Sequence, residues 1–424
     1  MGTAASAPIQ ATHSAPSNIA LVKYWGKRDV AANLPINGSL SMTLSQADLA
    51  AVTTVTASPA FTSDRLWLNG AEEDITANAR VAAVLREVRR RCAGRAGGAD
   101  GAGAVDAAAL KEWRVHIVSR NTFPTAAGLA SSAAGYAALV VALADVLGAA
   151  EAFPGELTAI ARRGSGSACR SLAGGFVEWR VGSRVDGTDS IGAQVAPRAH
   201  WPGIVVLIAV ASAARKATGS TDGMVRSVAT SALLRVRARD IVPARLDAVK
   251  RAIAARDFGA LAEAAMADSN QFHATCLDTF PPVFYLNDTS RRVIALVHAL
   301  NAAAKRTLAG YTFDAGPNAV LFTDGAADAA ALLAALRSAF PPAPGAAAPY
   351  ESGVALARVG AAAPAPHAPL PAVLLEPAPG ALAHIYATEI GDGPEALGAA
   401  RALADPVTGL PLDLTAAAGF DKGL

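Results

Sequence analysis

The sequence predicts an α+β fold, and three observations predict it. Short stretches with β-branched residues at alternate positions interleave with stretches whose apolar residues fall at helical spacing. The strict strand–helix repeat of a parallel barrel is missing. Hydrophobic residues make up 52% of the 424, enough to bury a substantial core, although much of that share is alanine, which adds little area per residue.

In chain order, residues 49–57 read as a strand, and residues 77–91 as a helix with Val81, Val84, Leu85 and Val88 on one face. Residues 93–109 are almost entirely Ala, Gly and Asp and read as a surface insertion. A strand is expected at 113–118 and a small-residue helix at 131–147. Strands follow at 176–181 and 204–210, the second apolar on both faces and therefore buried. Residues 245–267 and 290–305 read as helices, and 319–322 and 384–390 as strands. The Pro- and Ala-rich stretch 341–371 reads as surface, with a candidate short strand at 353–359. A polar, Gly- and Pro-bearing segment at 198–202 precedes the buried strand and divides the chain into 1–199 and 200–424.

A formal net charge of +2 excludes a polybasic nucleic-acid or membrane surface, so anions must be bound by local clusters. Cys92, Cys169 and Cys276 are far apart and form no CxxC pair, which argues against a disulfide framework or a zinc site and for a reducing, cytoplasmic setting. The first twenty residues contain no basic start followed by an apolar run, and no apolar stretch is long enough to span a bilayer. Met1-Gly2-Thr3-Ala4-Ala5-Ser6 fits the permissive N-myristoylation pattern, but no adjacent basic cluster supplies a second membrane signal.

The most informative stretch is Pro124-Thr125-Ala126-Ala127-Gly128-Leu129-Ala130-Ser131-Ser132-Ala133. Small residues let the backbone approach a ligand, and two hydroxyls lie where a helix begins and offers free N–H groups to phosphate. Small-residue content alone fits an ordinary capped helix equally well. The full string resembles the P-x-x-x-G-L-x-S-S-A phosphate motif of the GHMP superfamily, named for galactokinase, homoserine kinase, mevalonate kinase and phosphomevalonate kinase, and every fixed position is filled. A Walker A loop and a G-x-S-x-G nucleophile elbow are both absent from the sequence.

Further motifs resemble one branch, the mevalonate diphosphate decarboxylases. They are Ala15-Pro16-Ser17-Asn18-Ile19-Ala20-Leu21-Val22-Lys23-Tyr24-Trp25-Gly26-Lys27, then Gly164-Ser165-Gly166-Ser167-Ala168-Cys169-Arg170, then Ser220-Thr221-Asp222-Gly223-Met224, and Tyr311-Thr312-Phe313-Asp314-Ala315-Gly316-Pro317-Asn318. Gln271-Phe272-His273-Ala274-Thr275-Cys276 belongs to the same resemblance, which runs from about Ala15 to about Pro411 with the stretches 93–109 and 341–371 excluded. It implies a two-lobed GHMP-kinase-like fold with the active site in a deep cleft between the lobes, and a homodimer. Two departures stand out: Gly38 replaces a serine usual in the family, and the 93–109 insertion is longer than expected.

The resemblance implies a substrate, diphosphomevalonate, that carries a diphosphate, a tertiary hydroxyl and a carboxylate, with ATP as co-substrate. Lys23, Lys27, Arg80 and Arg170 supply matching cations. The residues implied to contact the substrate are Asn18, Lys23, Tyr24, Trp25, Gly26, Lys27, Arg80, Ser165, Gly166, Ser167, Ala168, Cys169, Arg170 and Thr221. Those implied for ATP are Pro124, Ala127, Gly128, Leu129, Ala130, Ser131 and Ser132, with Ser132 also toward Mg2+. Asp314 precedes a Gly-Pro turn, where a bare Asx turn is the alternative; in the family context it is the candidate base, kept ionised by Lys23. Lys23, Arg170 and Ser132 complete the expected catalytic set. His273 is expected to be structural, since the chemistry requires no second proton carrier. The other readings are a GHMP kinase that stops at the phosphate ester, a related lyase with a different phosphate pattern, and a silent nucleotide-binding protein.

Overall fold

The structure, a computed structural model, describes residues 6–95, 104–122, 131–211, 217–346 and 349–412. The first lobe holds two sheets. One has six strands in the order β17–β1–β6–β9–β7–β8, formed by β1 (Ile9–Pro16), β6 (Ala50–Ser58), β7 (Arg65–Leu68), β8 (Ala71–Glu73), β9 (Arg114–Asn121) and β17 (Glu395–Leu397). The other has four, β11–β10–β5–β2, from β2 (Asn18–Val22), β5 (Ser39–Thr43), β10 (Phe176–Trp179) and β11 (Gly192–Ala196). A small ribbon pairs β3 (Lys27–Asp29) with β4 (Leu34–Pro35).

The helices of this lobe are α1 (Ala79–Arg90), α2 (Ala107–Glu112), α3 (Ser131–Val146) and α4 (Glu156–Gly164). On α1 the four predicted apolar residues are the buried ones, and the Asn78 side chain accepts the Val81 N–H to cap its start. Helix α3 lies across β1 and β6. Its Ala134, Ala137 and Ala138 meet Ala15 and Ala51 of those strands, so small residues on both sides let helix and sheet approach closely.

The second lobe is built on a five-stranded sheet, β13–β14–β12–β16–β15, from β12 (Ile204–Val210), β13 (Ala309–Phe313), β14 (Ala319–Asp324), β15 (Glu351–Ser352) and β16 (His384–Glu389). All seven residues of β12 are buried at the centre of this sheet, as its two apolar faces require. Its helices include α5 (Ser220–Thr230), α6 (Ala232–Val236), α7 (Val242–Ala255), α8 (Phe258–Leu277), α9 (Asp288–Ala304) and α10 (Ala326–Ala339). Ile19, Leu21, Leu40, Met42 and Phe176 of the four-stranded sheet share one apolar core with β12, α7 and α8. The chain finally returns to the first lobe, where β17 pairs with β1 and Leu403 packs against Val52, Trp67 and Val118.

Two expectations are corrected. The helix read over 245–267 is two helices: Arg256 adopts a left-handed conformation and Asp257 accepts the Ala260 N–H to start α8. Apolar spacing carries on across the break and hides it. The strand read at 353–359 is a turn followed by the helix Leu356–Ala361, and the strand lies just before it at β15. Within the Ala/Gly-rich insertion, Arg95 bridges Val105 beyond the C-terminal end of α1. Among the described residues no helix is long and apolar enough to cross a membrane. The Met1–Ala5 part of the myristoylation pattern lies outside the described residues.

Candidate active site

Strand β2 delivers Lys23, Tyr24 and Trp25 to the wall of a cavity of about 940 Å³. Lys27 of β3, Arg80 of α1, Ser131 and Ser132 of α3, Thr221 of α5 and Asp314 after β13 line the same space. Ser165, which joins α4 to a 3-10 helix, Gly166–Leu172, completes it together with Gly166, Ser167 and Arg170 of that helix. Residues from widely separated parts of the chain therefore meet between the two lobes.

At its floor, Lys23 Nζ lies 2.7 Å from Asp314 Oδ1. Lys23 is only 2% exposed. Burial pulls its ammonium below the usual lysine range, the Asp314 carboxylate opposes that pull, and Asp268 adds to the opposition. Asp314 directly follows β13, and the Gly316 N–H donates to the Asp314 carbonyl at 2.7 Å, turning the chain where the Asp314 side chain lines the cavity. The pairing of Lys23 with Asp314 is the geometry the sequence reading anticipated.

Arg170 is enclosed, yet its guanidinium binds neutral oxygens: Nε donates to Ser41 Oγ at 3.0 Å and Asn18 Oδ1 at 3.3 Å, and Nη1 to Ser39 Oγ at 2.6 Å. Asn18 is itself held, donating to Ser171 Oγ at 2.8 Å and the Ser167 carbonyl at 3.1 Å. These contacts fix the planar fork without neutralising it. The two serines flank Leu40, in the motif where Gly38 replaces the usual serine.

Arg80 Nη2 reaches Thr221 Oγ1 at 3.4 Å, and burial, followed by the Arg80 charge, pulls the Lys27 ammonium down. Two like charges on the wall of one cavity favour an anion between them. Ser132 Oγ lies 3.1 Å from Ser165 Oγ and joins the α3 start to the α4 end. Tyr24 packs on Trp179 with ring centroids 4.6 Å apart, and burial pushes its buried phenol upward, so it stays a neutral hydroxyl. Trp25 Nε1 donates to Ser227 Oγ at 2.9 Å.

Four predicted substrate residues do not line the cavity. Asn18 stands behind Arg170 and holds it. Gly26, at φ +90, makes the turn between Trp25 and Lys27, where a Cβ would strike Ile36. Ala168 belongs to the apolar core, and Cys169 is fully buried with its thiol pushed up to about 12, so it stays protonated and unreactive. Pro124, Ala127, Gly128, Leu129 and Ala130 lie outside the described residues, and of the phosphate motif Ser131, Ser132 and Ala133 are placed.

Beside those serines opens a smaller apolar pocket of about 200 Å³, lined among others by Leu66, Leu68, Val81, Ile117 and Tyr136, with Asn69 and Asn78 as polar groups. A flat, largely apolar base fits such a slot. No sequence signal marks it, because its walls come from β7, α1, β9 and α3 and read as ordinary core. For magnesium, the described residues hold no cluster of three His, Cys, Asp or Glu side chains. The hydroxyls of Ser131 and Ser132 fit a metal held chiefly by phosphate oxygens and water, as magnesium usually is. His273 is buried between Phe272 and Tyr285, with its pKa depressed to about 3 by desolvation and then by Lys23, and it does not line the cavity.

Comparisons with known proteins cover both lobes. Residues 15–192 match the family model described as diphosphomevalonate decarboxylase-like N-terminal domain, and 206–397 that of the mevalonate 5-diphosphate decarboxylase C-terminal domain. The diphosphomevalonate decarboxylase of Rattus norvegicus is 53% identical over 392 residues, 92% of this chain and 94% of that protein. That of Homo sapiens is 51% identical over 399 residues, 93% of this chain and 95% of that one. The structure of mevalonate diphosphate decarboxylase from Trypanosoma brucei superposes with a TM-score of 0.81 at 36% identity, covering 93% of this chain and 100% of that chain. A solved structure described as MDDEF in complex with MVAPP, AMPPCP and magnesium gives 0.69 at 31% identity, covering 92% and 99%.

Proposed function

The chain belongs to the diphosphomevalonate decarboxylase family, and from that premise we propose how its own residues divide the work. The reaction is the ATP-dependent decarboxylation of mevalonate diphosphate to isopentenyl diphosphate, with ADP, phosphate and carbon dioxide released, in the mevalonate pathway to isoprenoids and sterols. ATP is the co-substrate and magnesium the metal.

The observation that carries the assignment is the 2.7 Å pair of Lys23 and Asp314 at the floor of a cation-lined cavity. Asp314 is the base: it accepts the proton of the C3 hydroxyl as that oxygen attacks the γ-phosphoryl group. Lys23 keeps the carboxylate ionised and lends positive charge where the new ester forms. Lys27 and Arg80, with Thr221 and the Ser165–Ser167 turn, bind the substrate diphosphate. Ser131 and Ser132 hold the nucleotide phosphates, with magnesium toward Ser132, where it offsets phosphate charge; the apolar pocket beside them receives the base of the nucleotide.

Arg170, steadied by Asn18, Ser39 and Ser41, orients the substrate carboxylate. That carboxylate loses its charge as carbon dioxide leaves, so a very tight ion pair would favour the ground state over the transition state. A guanidinium already engaged with three neutral oxygens holds the group in place without clamping it. Departure of the tertiary phosphate and of carbon dioxide then leaves the alkene.

The matched ranges 15–192 and 206–397 support a lobe boundary near 199–200. The buried thiols Cys92, Cys169 and Cys276, all free, support a reducing, cytoplasmic setting. The family resemblance supports a homodimer.

The test is to measure ADP and carbon dioxide in parallel with ATP, magnesium and mevalonate diphosphate. The reading expects equal release of the two and loss of both in Asp314→Ala. ADP without carbon dioxide from the intact chain would leave only a kinase.

A further inference from the structure

We propose that the buried Arg237–Asp268 ion pair, together with Ser269, is the positioning element that registers Lys23 against Asp314; the inference rests on the roles given to those two residues above. Arg237 opens a short π-helical turn, Arg237–Ile241, and Asp268 sits within α8. Both side chains are completely enclosed. Arg237 Nη1 donates to Asp268 Oδ1 and Nη2 to Oδ2, each at 2.9 Å.

The pair also grips the peptide groups on either side of the Lys23 Cα. Asp268 Oδ2 accepts the Lys23 N–H at 2.7 Å, and Arg237 Nη2 donates to the Lys23 carbonyl at 3.1 Å. Asn37 Nδ2 donates to the same carbonyl at 3.0 Å. Lys23 lies just past the end of β2, beyond the ladder that would otherwise hold these groups. The next residue of α8, Ser269, accepts the Phe313 N–H at 3.0 Å, one position before Asp314. Two consecutive residues of one helix thus fix the backbones that carry both members of the 2.7 Å pair.

An enclosed ion pair contributes little net stability, because desolvation offsets the attraction. A role in positioning accounts for its presence better than a role in stability does. Neither Arg237 nor Asp268 lines the cavity, so they act through Lys23. The charged and titratable groups facing Lys23 are Asp314, Asp268 and His273 of α8, Arg170 and Arg237. Removing the Asp268 charge leaves Lys23 with less support for its proton.

The experiment compares kcat, KM for both substrates and the pH profile in Asp268→Asn, Arg237→Lys and Ser269→Ala, with thermal melts and Asp314→Ala as control. Asp268→Asn is expected to lower kcat about 10- to 100-fold, the scale of a misplacement near 1 Å, with both KM values little changed. The alkaline limb of its kcat profile should move to lower pH. Arg237→Lys keeps the charge but loses the fork, and should retain more kcat than Asp268→Asn. Ser269→Ala should lower kcat without moving the limb. Lower melting temperatures with unchanged kcat and pH limb would make the pair merely structural and overturn the proposal. If Asp268→Asn does not fold, an unchanged kcat in Ser269→Ala overturns it. A fully active Asp314→Ala would instead sink the underlying reading of the Lys23–Asp314 pair.

Discussion

Burial lowers the proton affinity of Arg170, Lys23 and His273 alike, but their neighbours differ, and Lys23 has the opposing Asp314 carboxylate beside it. Arg170 keeps its charge among hydroxyls and an amide. Arg170→Gln should raise KM for mevalonate diphosphate about 10- to 100-fold, the loss of a charged hydrogen bond of roughly 1.5–3 kcal/mol, while ATP binding holds; steady-state kinetics with each substrate varied would check it. A variant with unchanged affinity that only fails to decarboxylate a trapped phosphorylated intermediate would remove the orienting role. His273 instead stays neutral, its pKa lowered from 6.5 to about 3. Between those values the unfolded chain binds a proton that the folded chain does not, so stability falls as pH drops below 6.5. The fall attributable to His273 is about 1.4 kcal/mol per pH unit. His273→Phe should therefore lose less stability than the parent between pH 7 and pH 5, measured by urea unfolding at both.

At the scale of elements, α3 is the clearest case of sequence dictating placement. Its Ala134, Ala137 and Ala138 let it lie close on β1 and β6, and this seats Ser131 and Ser132 at the cavity edge. Ala137→Leu should cost about 1–3 kcal/mol by overpacking and weaken nucleotide binding as well, a pairing that a thermal melt with and without MgATP would detect. Elements with one apolar rhythm, such as α1 and β12, were legible in the sequence. Strand β5 was not, because Ser39 and Ser41 are buried polar residues whose reason for being there, Arg170, lies about 130 positions away. The α7–α8 break was masked by continuous alanine spacing, with Asp257 as its one local sign. In the site, the cations and Asp314 stood out by type and motif. Arg237 and Asp268 did not, since a paired charge inside the protein reads in sequence as a surface helix charge. Nor did the apolar pocket, whose walls come from four separate elements.

Across the whole molecule the two lobes are tied by more than a linker. The four-stranded sheet shares its core with α7, α8 and β12, while β17 and Leu403 return to the first lobe. A fragment of residues 1–199 would expose the apolar face of β2, β5 and β10 and lack the β17 edge. It should be recovered aggregated or without a cooperative melt, and a soluble fragment with a sharp thermal transition would contradict this. The cavity depends on the same union, because Lys23 comes from one lobe and Asp314 from the other. Whether that pair drives the first chemical step is tested most directly by a single-turnover quench with γ-labelled ATP and mevalonate diphosphate in Asp314→Asn. The account predicts binding of both substrates near the parent level and phosphoryl transfer slowed by about 10²- to 10⁴-fold. Transfer at the parent rate, with only carbon dioxide release slowed, would contradict it.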